Sequence, residues 1–240
     1  MGRLHSYDTM GLVDGPGIRI VFFLQGCPLS CLYCHNPDTQ CMTGGRDIEI
    51  EEIVHRTKRM LPYFKKDKGG VTFSGGEPLA QGKFLLEAID AVKDLGVHVA
   101  VDTSGIGQEK YFDQILKKAD LIILDIKHYE KEMFKKICGQ DIERLQRFID
   151  YVENEDIKLW IRHVMVPGFT DNKESMEKLY DFVKRIDEKI EKIEILPYHT
   201  MGLSKYEALG MDYKLKGVPE MDKEKAKELE NYINSLRVKD

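Results

Sequence analysis

Six short apolar runs, mostly set apart by helix-length stretches, constrain this 240-residue chain more than any other feature. They are Ile18–Leu24, Val71–Phe73, Val97–Val101, Leu121–Leu124, Leu159–Val166 and Ile193–Leu196. Their β-branched and aromatic content predicts buried strands. Helical spacing of apolar residues marks Ile48 to Phe64, Phe84 to Val92, a segment ending near Lys118, and Lys131 to about Glu155 with a break near Gly139. A further helix carries Met176, Leu179, Tyr180, Val183 and Ile186, with Asp171 expected as its N-cap, and a last one covers about 222–237. Alternating strands and helices imply βα units and a parallel sheet. The spacing fits a doubly wound sheet and a partial barrel equally. No linker, low-complexity tract or composition shift divides the chain, so 1–240 reads as one domain.

Polar residues follow the strands directly: Ser74-Gly75-Gly76-Glu77, Asp102-Thr103-Ser104-Gly105, Asp125-Ile126-Lys127, Pro167-Gly168 and Pro197-Tyr198-His199. Parallel α/β folds place their chemistry at this edge, so five such loops predict an enzyme. The balance of 36 Lys+Arg against 41 Asp+Glu argues against nucleic-acid binding, which needs concentrated cations. No apolar stretch reaches membrane-span length, and the first residues lack the apolar core of a secretion signal.

Five cysteines are an odd number, and three of them, Cys27, Cys31 and Cys34, lie within eight residues of a polar loop at about 25–45. That spacing suits a metal site in a reducing, cytoplasmic compartment better than a disulfide framework. Thiolates select zinc, copper or iron–sulfur clusters. A structural zinc would need Cys41 or His35 as a fourth ligand. A four-iron cluster held by three thiols would keep one iron open for chemistry. Cys138 reads instead as a small buried hydrophobe.

The C-x3-C-x2-C run with Tyr33 before its last cysteine, joined to Ser74-Gly75-Gly76-Glu77-Pro78, resembles the motif of radical S-adenosylmethionine enzymes. Within them the chain is most similar to the glycyl-radical-activating group, in the branch that acts on pyruvate formate-lyase. The likeness runs from His5 through Val13–Arg19, Tyr33–Thr39 and Gly75–Glu77 to Asp102–Gly105, Leu124–Lys127, Trp160–Arg162, Val166–Gly168 and Leu196–His199. It implies an α/β fold, a partial (β/α)6 TIM-like barrel. It also implies that Cys27, Cys31 and Cys34 hold a [4Fe–4S] cluster whose open iron chelates S-adenosylmethionine. Tyr33, Gly75, Gly76, Glu77, Asp102, Lys127, Arg162 and His199 become candidate cofactor contacts.

Gly75 and Gly76 would let the backbone approach the methionine moiety, and Glu77 would contact its amine or fix the loop. Lys127 is the candidate partner of the methionine carboxylate. Arg162 is a second cation, with a structural pair to Asp125 as its alternative. The resemblance further implies a monovalent-cation site (Na+ or K+) formed by Asp102, the Thr103 hydroxyl and the Ile123 carbonyl. Asp102 could otherwise cap the next helix. Asp14, in the turn Asp14-Gly15-Pro16-Gly17, would face the protein substrate or bond its own backbone.

With only Cys41 between Cys34 and Cys138, there is no room for the extra ferredoxin-like domain of the larger activators. The resemblance therefore implies a loop of pyruvate formate-lyase as substrate and flavodoxin or ferredoxin as electron donor. The alternatives are another glycyl-radical protein and a small molecule such as a deazapurine precursor. A zinc-stabilised interaction module is the reading of a different class, and metal content separates it from the enzyme.

Overall fold

The computed structural model describes residues 1–237, apart from the side chains of Lys66 and Asp67. Eight strands form one sheet: β1 (Gly2–Gly11), β2 (Arg19–Leu24), β3 (Arg46–Ile48), β4 (Gly70–Gly75), β5 (His98–Thr103), β6 (Leu121–Asp125), β7 (Lys158–Met165) and β8 (Ile190–Pro197). Their spatial order is β3-β1-β2-β4-β5-β6-β7-β8. The six strands expected from the apolar runs pair in parallel. β1 and β3 are additional and antiparallel. Sequence reading misses β1 because residues 6–10 are exposed and carry no buried face to impose a period.

The helices are α1 (Ile50–Asp67), α2 (Gly82–Lys93), α3 (Phe112–Lys118), α4 (Lys131–Cys138), α5 (Ile142–Asn154), α6 (Lys173–Val183), α7 (Leu203–Ala208) and α8 (Lys223–Leu236). α4 ends where expected, at Gly139, whose φ of 73° is the left-handed conformation of a helix stop. α1 runs on past Pro62 and stops at Lys68, also left-handed. One cap is corrected by a residue. Asn172, not Asp171, caps α6, its side chain accepting from the Ser175 N–H at 2.9 Å. Asp171 instead accepts from the Gly168 N–H and pairs with Lys225.

The two faces of the parallel strands differ. Ile20, Phe22, Val71, Phe73, Val99, Val101, Ile122, Leu124, Leu159 and Ile161 belong to the main core shared with the helices. The alternate residues face the inner side. Toward the strand starts, Ala100, Leu121 and Ile123 form a small separate cluster with Trp160. Further along stand Ser74, Asp102, Asp125, Arg162 and Glu194. One cavity is lined by Phe23 of β2 and by Leu196 of β8, so the sheet curls round to bring distant strands together. This is a partial (β/α)6 barrel extended by two antiparallel strands. The β8 edge is covered by α8, where Glu230 accepts from the Ile195 N–H and Asn234 donates to the Ile193 carbonyl.

Candidate active site

The loop after β2 has little regular structure, so its shape comes from outside partners. Gly26 N–H donates to the Thr39 carbonyl, and Gln25 Nε2 donates to the carbonyls of Asp38 and Cys41. Ser30 and Leu32 N–H groups donate to the Cys138 and Ile137 carbonyls at the end of α4, both at 2.9 Å. The loop is thereby laid over the strand ends with Cys27, Cys31 and Cys34 in the wall of one cavity of about 380 Å³. Burial pushes the Cys27 thiol up to about 12 and the Cys31 thiol well above its usual value, with Lys127 pulling both down. Such thiols stay protonated until a metal displaces the proton. Among the described residues no three His, Cys, Asp or Glu side chains are gathered to hold a single ion. Cys41 is exposed and bonded to Thr43, outside the cavity wall. Cys138 is fully buried and donates to the Phe134 carbonyl, as expected of a packed hydrophobe.

The β4 turn packs closely against its neighbours. A Cβ on Gly75, whose φ is 115°, would lie 2.3 Å from the Leu24 nitrogen. One on Gly76 would lie 2.4 Å from the Gly26 carbonyl and 3.0 Å from that of Thr39. The glycines thus let this turn press against β2 and the cysteine loop. Glu77 is 1% exposed and its carboxylate is fully engaged. Oε1 accepts from Leu79 N–H and the Thr103 hydroxyl, and Oε2 from Ser104 N–H and hydroxyl. Burial raises its pKa against the pull of these bonds. The Glu77 carboxylate thereby ties the β4 and β5 loops together.

Charges of both signs meet above the apolar floor. Lys127, 17% exposed in its side chain, bonds Asp125 Oδ2, while Asp125 Oδ1 is buried with no partner. Burial works against the Lys127 charge, but Asp125 and then Cys31 raise its pKa well above the usual value. Tyr33 closes this corner, its ring 5.9 Å from the Lys127 ammonium. Arg162 does not pair with Asp125. Its Nε donates to Glu194 at 2.8 Å, Nη1 stands 3.8 Å from Asp102, and Nη2 donates to the Val13 carbonyl. Arg162 therefore ties the Asp14 turn to the barrel wall. Asp102 accepts from Ser74 at 2.9 Å, and burial raises its pKa. It caps no helix side-on; α3 begins later, at Phe112. Asp14 also lines the cavity, its carboxyl pushed up by burial and by Asp102.

The Thr103 hydroxyl donates to Glu77 and accepts from Gly105 N–H. It is thus engaged away from the oxygen set expected with Asp102, although Asp102 and Ile123 do stand side by side in register. His199 lines the cavity and meets the His35 ring edge-on at 4.8 Å. Sequence reading missed the unpartnered Asp125 oxygen, Ser74 and Glu194 as site groups. The cross-strand register of Asp125, Arg162 and Glu194 exposes two of them, and the bond to Asp102 exposes Ser74.

The pocket carries a buried, unpartnered carboxylate oxygen beside a retained ammonium, among polar and apolar side chains. The Radical SAM superfamily profile matches residues 21–183. The chain is 51% identical over 236 residues to a pyruvate formate-lyase-activating enzyme of Clostridium pasteurianum, covering 98% of each. It is 42% identical to the Staphylococcus epidermidis enzyme of that name, over 97% of this chain and 95% of the relative. A crystal structure of a domain of pyruvate-formate lyase-activating enzyme from Bacteroides vulgatus superposes with a TM-score of 0.57. Its identity is 23%, over 70% of this chain and 94% of that one, a likeness of fold.

Proposed function

The chain belongs to the radical SAM superfamily, in its pyruvate formate-lyase-activating branch, and from this we propose that it is an oxidoreductase that activates pyruvate formate-lyase. The observation that carries the reading is the shared cavity. The Cys27, Cys31 and Cys34 thiols line the same cavity as Lys127 and Asp125, whose Oδ1 is buried without a partner. Cys27, Cys31 and Cys34 would hold a [4Fe–4S] cluster. Bound there, the cluster and S-adenosylmethionine together supply one-electron chemistry able to take a hydrogen atom from a glycine α-carbon.

The chain's own residues bind, orient and shield. Lys127 keeps its charge and offers it to the cofactor carboxylate, and Asp125 Oδ1 accepts a hydrogen bond from the cofactor's donors. Tyr33 packs beside Lys127, and His199 flanks the adenosine end. Glu77 fixes the β4 and β5 loops around the methionine end, with Gly75 and Gly76 setting how closely they approach. Arg162 holds the Asp14 turn, which faces the extended segment of the partner. Asp102 and the Ile123 carbonyl would take up Na+ or K+, with the remaining lone pair of the Thr103 hydroxyl as a further ligand. The whole chain works as one cytoplasmic domain, reduced by flavodoxin or ferredoxin, with neither nucleic acid nor membrane as a partner. No helix among the described residues is long and apolar enough to cross a membrane.

Anaerobic reconstitution tests this. The reading expects about four iron and four sulfide per chain, and cleavage of S-adenosylmethionine on reduction. Cys31→Ala should lose both, and Cys41→Ala neither. About one zinc per chain and no cleavage would defeat the proposal.

A further inference from the structure

The segment after β8 folds back across the cysteine loop and touches it repeatedly. His199 meets His35. At Gly202 an added Cβ would stand 3.2 Å from the His35 carbonyl, so backbone passes directly over backbone. Lys205 Nζ donates to Asn36 Oδ1 at 2.7 Å and lies 3.2 Å from Asp38 Oδ2. The Tyr206 hydroxyl donates to the Cys34 carbonyl at 3.0 Å. Tyr206 is itself braced: it is 5% exposed, its ring sits edge-on to Tyr213, and the Tyr213 hydroxyl is 2.7 Å from that of Tyr198.

The cysteine loop is supported unevenly. Residues 30 and 32 hang on α4 through backbone hydrogen bonds. Cys34 and the residues after it have one 3-10 turn, Pro37–Thr39, and are gripped from outside by Gln25 and α7. Outer partners of this kind orient a metal ligand, and their loss weakens metal binding by 10–100-fold.

We propose that Tyr206 and Lys205 are positioning residues for the iron–sulfur cluster. Through the Cys34 carbonyl, Asn36 and Asp38, they fix the third thiol and with it the corner left open to the cofactor. The inference rests on Cys27, Cys31 and Cys34 being the cluster ligands.

Tyr206→Phe removes one hydroxyl and keeps the ring packing; Lys205→Gln removes the cation. Leu209→Ala, on an exposed side chain just beyond α7, serves as the control. The readouts are iron release from the reconstituted protein to excess chelator, the electron paramagnetic resonance g-values of the reduced cluster with S-adenosylmethionine, and the thermal midpoint of the apoprotein. Release should be about tenfold faster in Tyr206→Phe, faster in Lys205→Gln, and unchanged in Leu209→Ala. Lys205→Arg should restore the wild-type rate. The g-values of Tyr206→Phe should shift. Release rates within twofold of wild type overturn the proposal. So does faster release with unchanged g-values and a matching fall in apoprotein midpoint, which marks a merely structural role. A wild-type chain that takes up no iron and sulfide overturns the ligand reading and this inference with it.

Discussion

Replacing Glu77 by glutamine keeps the shape of the side chain and removes half of its accepting capacity. The carboxylate receives four hydrogen bonds, two on each oxygen, from Leu79, Thr103 and Ser104. An amide nitrogen in place of Oε2 turns two of them into donor–donor contacts. The Ser104 hydroxyl can rotate, but its N–H cannot. Losing the Ser104 N–H bond at about 1 kcal/mol and stranding that buried N–H at about 1–3 kcal/mol gives a loss of roughly 2–4 kcal/mol. Relief of the carboxylate's burial brings the expected value to about 1–3 kcal/mol. For a chain of this size, 1 kcal/mol moves the thermal midpoint by roughly 2–4 °C. The assay is urea denaturation of the apoprotein, read as a change in midpoint at constant slope. Because the lost bond joins the β4 and β5 loops, S-adenosylmethionine binding to the reconstituted variant should weaken as well. A destabilisation under about 0.5 kcal/mol, the level of an ordinary surface change, would refute the network as the holder of these loops.

Gly76→Ala should prevent stable cluster uptake, because its Cβ would strike the Gly26 carbonyl; iron content after reconstitution checks this. Lys127→Met should cost about 3–5 kcal/mol by stranding the Asp125 charge. The double variant with Asp125→Asn should recover much of that loss in the same urea assay. His128 is buried, which holds its pKa near 4 with help from His163. The unfolded chain takes up that proton near its ordinary value, the folded chain only near 4, so the unfolded state binds more protons between them. Stability should therefore fall as pH drops from about 6.5 to about 4, and His128→Asn should flatten that slope.

The residues whose chemistry is unusual in type were legible in the sequence. Three clustered thiols in a polar loop, a Gly-Gly-Glu at a strand end and a lysine leaving an apolar strand each stand out without a structure. The six parallel strands were legible because both their faces are covered, leaving continuous apolar runs. β1 was not, since its exposed stretch has no face to pattern. Pairings across the sheet were also hidden. Arg162 lies in register between Asp125 and Glu194, and its choice of Glu194 and Asp102 frees Asp125 for Lys127. That choice depends on how the sheet curls, as does the folding of α7 back over Cys34. The Gly75-Gly76 turn was legible, but its packing was not: neighbouring backbone fills the space that the missing side chains leave.

The central claim is tested most directly by an electron paramagnetic resonance spectrum of reduced, reconstituted protein mixed anaerobically with S-adenosylmethionine and pyruvate formate-lyase. The account predicts a glycyl-radical doublet centred on the partner protein, absent when Cys31→Ala replaces the wild type. Cleavage of the cofactor with no such doublet would contradict the assignment of this partner.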